Sequence, residues 1–352
     1  MNDLVKERCD LLISNRAQIA KKFTMDSNLM CITSGLLFAS EVRSADIEKM
    51  TECKKLLRKE TGHFSKLKST AELAVLSKML LSDDPEQYLK SVITVYDKVK
   101  TADFCERSYI VPVCLMIVDL AIQDELDDIL NKAQDILKSL DKSHPVLTGS
   151  DDSSLAVLLA LSYKDTATIL ADIETGYTYL KKNYRLGVPA ESVQELCEVL
   201  ALSYGDICSK CDKVARIYEA FRKRKSSYGK DREFAMLASL VDIEISPETI
   251  VNEIISVSEY LEKDDGFKDK QLTAKQRMMY ATLLFADFYG RNTGMMDNPV
   301  ITGTLSILAD KSKAALTSAL INCALELIPT VLGAVTETEE KRTTDEHSDL
   351  RN

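Results

Sequence analysis

Apolar residues recur along this chain in blocks separated by short polar turns. Leu155-Ala156-Val157-Leu158 opens one block, Leu73-Ala74-Val75-Leu76 an earlier one and Phe234-Ala235-Met236-Leu237 a later one. Each opening predicts an apolar helix face. Ten positions on, each copy passes an acidic residue, at Asp83, Asp165 and Glu244. A second helix is then predicted, reaching Tyr96, Tyr179 and Tyr260 in the three copies. The openings lie 82 and 79 residues apart, a recurrence that marks a helical repeat array.

Taken in order, residues 3–23 predict a first helix, and Leu29–Ala39 and Ile47–Leu57 a first hairpin with Ser44 and Asp46 as cap candidates. Further openings fall at Leu73, Ile110, Leu155, Leu196, Phe234 and Met279, in steps of 44, 37, 45, 41, 38 and 45 residues. In Ser82-Asp83-Asp84-Pro85-Glu86 a capping aspartate precedes a proline at the first helical position, a strong helix start. The predicted fold is all-α: about seven stacked hairpins of roughly 40 residues, an α-solenoid or α/α superhelix. A lone hairpin cannot bury its apolar face, so stacking neighbours supply the core.

After Gly290 the pattern changes. Arg291–Thr304 is rich in helix breakers, and Leu305–Val335 predicts one or two apolar helices closing the array. Asn322, Glu326 and Pro329 within Ala314–Val335 argue against a membrane span, because a charged group at mid-bilayer is costly. Residues 1–335 are therefore expected to form one helical domain, and 336–352 a disordered charged tail.

Composition agrees with helix. There are 12 Gly, 7 Pro and no Trp among 352 residues, so helix breakers are scarce. A net charge of −10 excludes nucleic acid as the expected partner and disfavours adhesion to anionic membranes. Arg222, Lys223, Arg224, Lys225, Lys230 and Arg232 run against this balance, beside a single Asp231. They follow a predicted helix, so their simplest role is to complement its C-terminal dipole. The start at Met1 has no h-region. Nine scattered cysteines, including Cys31, Cys114, Cys197 and Cys323 on apolar faces, point to a reducing, cytoplasmic compartment.

No residue pattern assigns a reaction. His63, His144 and His347 lie far apart in or near turns and the tail. Cys208-Ser209-Lys210-Cys211 has neither a second pair nor a nearby histidine, so chance placement on a helix face accounts for it. Phosphate loops, dinucleotide fingerprints and hydrolase elbows are missing from the sequence. Short S-x-x-K strings such as Ser65-Lys66-Leu67-Lys68 are expected by chance, and Asp124-Glu125-Leu126-Asp127-Asp128 reads as a helix start. No catalytic, cofactor-binding or metal-binding residue is assigned, and no cofactor. The repeated tyrosines Tyr96, Tyr179 and Tyr260 are expected to form a ladder, rings buried and hydroxyls at the rim.

Leu155–Leu161, Tyr179-Leu180-Lys181, Val199-Leu200-Ala201-Leu202-Ser203 and the Phe234 copy together resemble a family of uncharacterised all-helical proteins from Gram-positive bacteria, a domain of unknown function. The resemblance implies a bacterial, cytoplasmic helical fold and carries no activity. Two functions follow as expectations. The first is a non-catalytic module whose stacked hairpins bind a protein or peptide, with Arg222–Arg232 and Arg291–Thr304 as the distinctive contacts. The alternative is an enzyme on a closed α/α toroid, with carboxylates and the repeated tyrosines lining a cleft; the missing motifs lean against it.

Overall fold

The computed structural model describes residues 1–62, 65–68, 72–101, 110–119, 123–143, 153–162, 164–202, 205–226, 228–230 and 232–292. His63, His144, His347, Cys323, residues 293–304 of the predicted loop, the predicted closing helices and the tail lie outside them.

The described residues are helical and contain no strand. The order begins α1 (Asp3–Lys22), α2 (Asn28–Ser40), α3 (Ile47–Glu60), α4 (Glu72–Leu81), α5 (Pro85–Thr101) and α6 (Ile110–Asp119). It continues α7 (Leu126–Ser143), α8 (Ser153–Leu161), α9 (Thr166–Asn183), α10 (Ala190–Ala201) and α11 (Ile207–Lys223). A 3₁₀ segment (Arg232–Leu240), α12 (Pro247–Leu261) and α13 (Ala274–Asn292) complete it, with shorter 3₁₀ turns between.

Local sequence sets the helix starts. Asp46, Asp165 and Asp206 each accept the backbone N–H three residues on, at 3.0, 2.8 and 2.7 Å. Asp84 accepts from both Glu86 and Gln87 at 3.0 Å, ahead of Pro85. These bonds satisfy amides that a helix leaves open at its N-terminus. At α13, Thr273 and Gln276 cap each other: the Thr273 N–H meets Gln276 Oε1 at 3.0 Å and the Gln276 N–H meets Thr273 Oγ1 at 3.3 Å.

Three elements differ from the sequence reading. Helix α10 begins at Ala190 rather than near Leu196, and α13 at Ala274 rather than Met279. In both, a polar first turn precedes the apolar run that periodicity detects. The Phe234 copy is a 3₁₀ segment instead of an α-helix. A 3₁₀ helix rises about 2.0 Å per residue against 1.5 Å, so these nine residues extend further than an α-helix of equal length.

Burial separates two kinds of helix. In α2 every residue from Met30 to Ser40 is buried, and in α13 every residue from Arg277 to Phe288. A helix apolar on all sides must be enclosed on all sides. Others bury one stripe, as α9 does with Ile169, Ile173, Gly176 and Leu180, and α3 with Met50, Cys53 and Leu57. Enclosed elements touch in sequence, α2 to α4, α6 to α8 to α10, then the 3₁₀ segment and α13. Helix α13 also packs on α1 and α2, and α12 packs on α1. The last described helices thus return to the first. Thr33 and Tyr280 share a buried hydrogen bond of 2.9 Å across that seam, Tyr260 donates to Asp10 at 2.5 Å, and Asn28 donates to the Gly266 carbonyl at 2.7 Å.

Cations from neighbouring elements close several helix C-termini, where carbonyls are left open. Arg8 donates to Ala39 and Ser40 at the end of α2, and Arg43 to Leu81 at the end of α4. Lys132 reaches the Ser162 and Lys164 carbonyls beyond α8, while Lys164 and Lys210 reach Ala201 and Leu200 at the end of α10. Lys213 reaches Ile243 past the 3₁₀ segment. Both Lys164 and Lys210 are buried, and Lys164 pairs with Asp172 at 2.6 Å.

Candidate cationic cleft

Helix α11 ends in a turn that builds the most distinctive surface of the described residues. Its apolar stripe ends in Tyr218 and Phe221, both buried, with Arg222 exposed beside them. The chain then leaves the helix through Lys225, whose φ of +55° lies in the left-handed region. The Lys225 N–H bonds the Arg222 carbonyl at 3.0 Å and the Ser226 N–H reaches back to Phe221 at 3.1 Å. This is a Schellman ending, in which glycine is the favoured residue. Val42, also at positive φ, ends α2 in the same way, with the Arg43 N–H on the Phe38 carbonyl at 2.9 Å.

Past the turn, Tyr228 folds inward. Its ring lies 4.7 Å from that of Phe221, and its hydroxyl donates to Thr282 of α13 at 3.2 Å. Tyr218 meets Phe234 edge to face at 5.1 Å. Tyr218, Phe221 and Tyr228 line a cleft of about 350 Å³ together with Arg222, Lys225, Ser226, Lys230 and Lys275. Lys275 comes from the first turn of α13. A cation there is opposed by the helix dipole, whereas Arg222 in the last turn of α11 is favoured by it.

No carboxylate is among the described residues that line the cleft. Among the described residues, Arg222, Lys225 and Lys230 have no ion-pair partner. An acid does lie behind the wall, where Glu233 packs against Gly229 so closely that a Cβ on Gly229 would stand 2.5 Å from Glu233 Oε2. Burial pushes the Tyr218 and Tyr228 hydroxyls above their usual range, so both stay neutral at physiological pH. The described residues of the cleft offer cationic and hydroxyl donors and no paired acid and base. They can hold an anion, and no bond-making constellation occurs among them.

The basic run was thus partly read from sequence. Arg222 and Lys223 do close α11 as dipole-complementing cations. Lys275 and the aromatic floor join them only through folding.

The repeated tyrosines lie elsewhere and act as struts. Tyr179 and Tyr184 both donate to Asp212 of α11, at 2.9 and 2.7 Å, and Tyr260 of α12 donates to Asp10 of α1. These bonds to carboxylates push Tyr184 and Tyr260 up to about 12. Tyr96 accepts the Lys66 N–H at 3.2 Å beside a second cleft, of about 310 Å³, where Glu60 and Asp97 face Lys100. The structure does not bring the three tyrosines together in one pocket. Cys208 is half-buried, whereas Cys211 and Cys197 are buried and pack against Gly176. Contact with Cys211 raises the Cys197 thiol, and burial raises it further, which keeps Cys197 an unreactive core thiol.

A family model described as a protein of unknown function (DUF4003) matches residues 15–313. The chain belongs to that family. The match covers most of the described fold, including every residue of the cationic cleft. No curated protein and no solved structure matches the chain. No described helix is long and apolar enough to cross a membrane, and no group of three or more metal-ligating side chains occurs among the described residues.

Proposed function

We propose that this DUF4003 protein is a non-catalytic binding module that grips an acidic segment of a protein or peptide partner in the cationic cleft. One observation carries the reading: a chain with net charge −10 gathers Arg222, Lys225 and Lys230 around one concavity, with Lys275 on its wall, and no carboxylate is among the described residues that line it. Such a patch accelerates encounter with an acidic partner and selects against basic ones. Free cysteines, mostly buried, support a reducing cytoplasmic setting. Binding of a labelled glutamate-rich peptide to the full chain, followed by anisotropy at ~50 mM salt, tests the idea. Reversing Arg222 and Lys230 to glutamate should weaken it about tenfold or more, and added salt should weaken it further. Equal binding by parent and double variant would sink this site.

The scaffold is best described as a closed α/α ring of about seven helix pairs, because α12 and α13 pack on α1 and α2. The Tyr260–Asp10 bond at the closing pair repeats the Tyr179–Asp212 bond between α9 and α11. Small-angle scattering should then give a radius of gyration of roughly 20 Å, and a much larger value would indicate an open array. A closed ring is also the scaffold an enzyme would need. Against that rival, Tyr179 and Tyr260 are engaged by carboxylates between outer helices instead of meeting them in a cleft.

A further inference from the structure

We propose that Cys208, Cys211 and Cys197 form a thiol relay, which carries oxidation from the surface of α11 inward and ends in a reversible Cys197–Cys211 disulfide. Cys211 is the hub. Its Sγ and that of Cys197 converge on Gly176 of α9, 3.4 and 3.2 Å from where a Cβ on that glycine would stand. Cys211 Sγ donates to the Gly176 carbonyl at 3.8 Å, and the Cys197 thiol donates to Cys211 in turn. Cys197 of α10 and Cys211 of α11 are thus in direct contact, both buried and both free thiols. Cys208 stands three residues before Cys211, on the same face of α11, and is only half-buried. A C-x-x-C string that looks fortuitous in sequence therefore gains a third thiol when the chain folds.

Cys197 is protonated and enclosed, so a reagent from solvent does not reach it and oxidation must come through Cys211. Of the three, Cys208 is the one with solvent access. Burial and the Asp206 carboxylate hold its thiol above the usual range, so little thiolate is present at neutral pH. The first step is then slow, and the relay answers to a sustained excess of a small-molecule disulfide, RSSR. In that step the Cys208 thiolate attacks one sulfur of RSSR, and the departing RS⁻ takes up the proton that Cys208 released. The Cys211 thiol next attacks Cys208 Sγ and expels the second RS⁻, which leaves with the Cys211 proton. Cys197 then attacks Cys211 Sγ, and the departing Cys208 thiolate takes the Cys197 proton. In sum, two protein thiols and RSSR give one Cys197–Cys211 disulfide and two RSH, with Cys208 restored. The bridge ties α10 to α11 beside Lys210, whose ammonium already closes α10 at the Leu200 carbonyl.

The test incubates the folded full chain with bis(2-hydroxyethyl) disulfide, quenches with acid, alkylates the remaining thiols and maps the linkages by digestion and mass spectrometry. We expect peptides joined through Cys197 and Cys211, short of two hydrogens, with the buried thiols of Cys9, Cys31 and Cys53 recovered alkylated. Cys208→Ser, a conservative change at a half-buried position, should slow the bridge at least about tenfold. Cys197→Ser should halt oxidation at a Cys208–Cys211 pair. Dithiothreitol should return the bridged chain to free thiols, and a product that resists it would sink the proposal. A bridge forming at the parent's rate in Cys208→Ser would overturn the relay. Oxidation that stops at Cys208 in the parent chain, as a mixed disulfide or as a Cys208–Cys211 pair, would overturn the buried destination. So would a Cys197–Cys211 bridge that forms only after unfolding in urea.

Discussion

Replacing Gly35 by leucine is expected to destabilise the protein by about 3 kcal/mol or more, by the usual cost of overpacking a close-packed core. Gly35 lies midway along α2, on the face pressed against α1. A Cβ at this position would stand 3.0 Å from the Arg16 nitrogen, 3.2 Å from the Leu12 carbonyl oxygen and 3.3 Å from the Arg16 Cα. All three are backbone atoms, so no rotamer change relieves the contact and the two helices must separate. Separation would also strain the bonds from Arg8 to the Ala39 and Ser40 carbonyls, at 2.5 and 2.6 Å, and from Asn15 to Arg43 at 3.0 Å. Urea denaturation of parent, Gly35→Ala and Gly35→Leu would grade the effect. Alanine should cost less, because it regains roughly 1 kcal/mol of helix propensity. A leucine variant with the parent's midpoint would show that α1 and α2 do not approach this closely.

Lys210 should contribute a rise in stability between about pH 8 and about pH 10.5, against a fall from the buried thiols of Cys9, Cys31, Cys53 and Cys197, which burial keeps protonated in the folded chain where the unfolded chain ionises. Burial lowers the Lys210 ammonium to about 8 in the folded chain, and the nearby Lys164 charge lowers it further, against 10.5 for a free lysine. Asp242 and Asp172 pull in the opposite direction. Between those two pH values the unfolded chain keeps a proton that the folded chain has released, so raising the pH favours folding. Below about pH 8 both states hold the proton, and the folded state carries the full penalty of a buried ammonium. A shift of this size corresponds to ~3 kcal/mol across the window. Lys132 and Lys213, lowered by burial in the same way, add to the rise with the same sign. Denaturation of parent and Lys210→Met at pH 7.5 and at pH 10 isolates this share: the variant lacks the lysine's gain and should lose more stability than the parent on going to pH 10. A variant that keeps the parent's full slope would remove Lys210 from the account.

Much of the secondary structure was legible in advance because its causes are local. Asp46 and Asp84 start helices by accepting from amides two or three residues away, and Pro85 fits the first helical position, signals that a sequence displays directly. The apolar rhythm placed α2, α3, α7 and α8 to within a few residues, since side chains three and four apart share a face. Periodicity missed the polar first turns of α10 and α13, and it cannot separate an α-helix from the 3₁₀ form adopted at Phe234. It also could not tell a surface lysine from a buried one. Lys210 lies between two cysteines in a string that looks like a redox motif, yet its ammonium closes the C-terminus of α10.

The candidate site divides along the same line. Arg222, Lys225 and Lys230 stand together in sequence, and their excess of charge was visible without any fold. Their convergence with Lys275, and the buried rings beneath them, depend on the turn after α11 reaching α13 through Tyr228 and Thr282, 54 residues apart. The repeated tyrosines were visible as a period, but their carboxylate partners were not, because Asp10 lies 250 residues from Tyr260. By itself, then, the sequence determined that the chain is helical, where most helices begin and which faces are apolar, all consequences of neighbours within one helical turn. Tertiary structure alone decided which helices are enclosed, that the last described helices meet the first, and which cations share a cleft. Those outcomes depend on how each helix pair packs on the next along the whole chain, a sum of many small angles that no local pattern records.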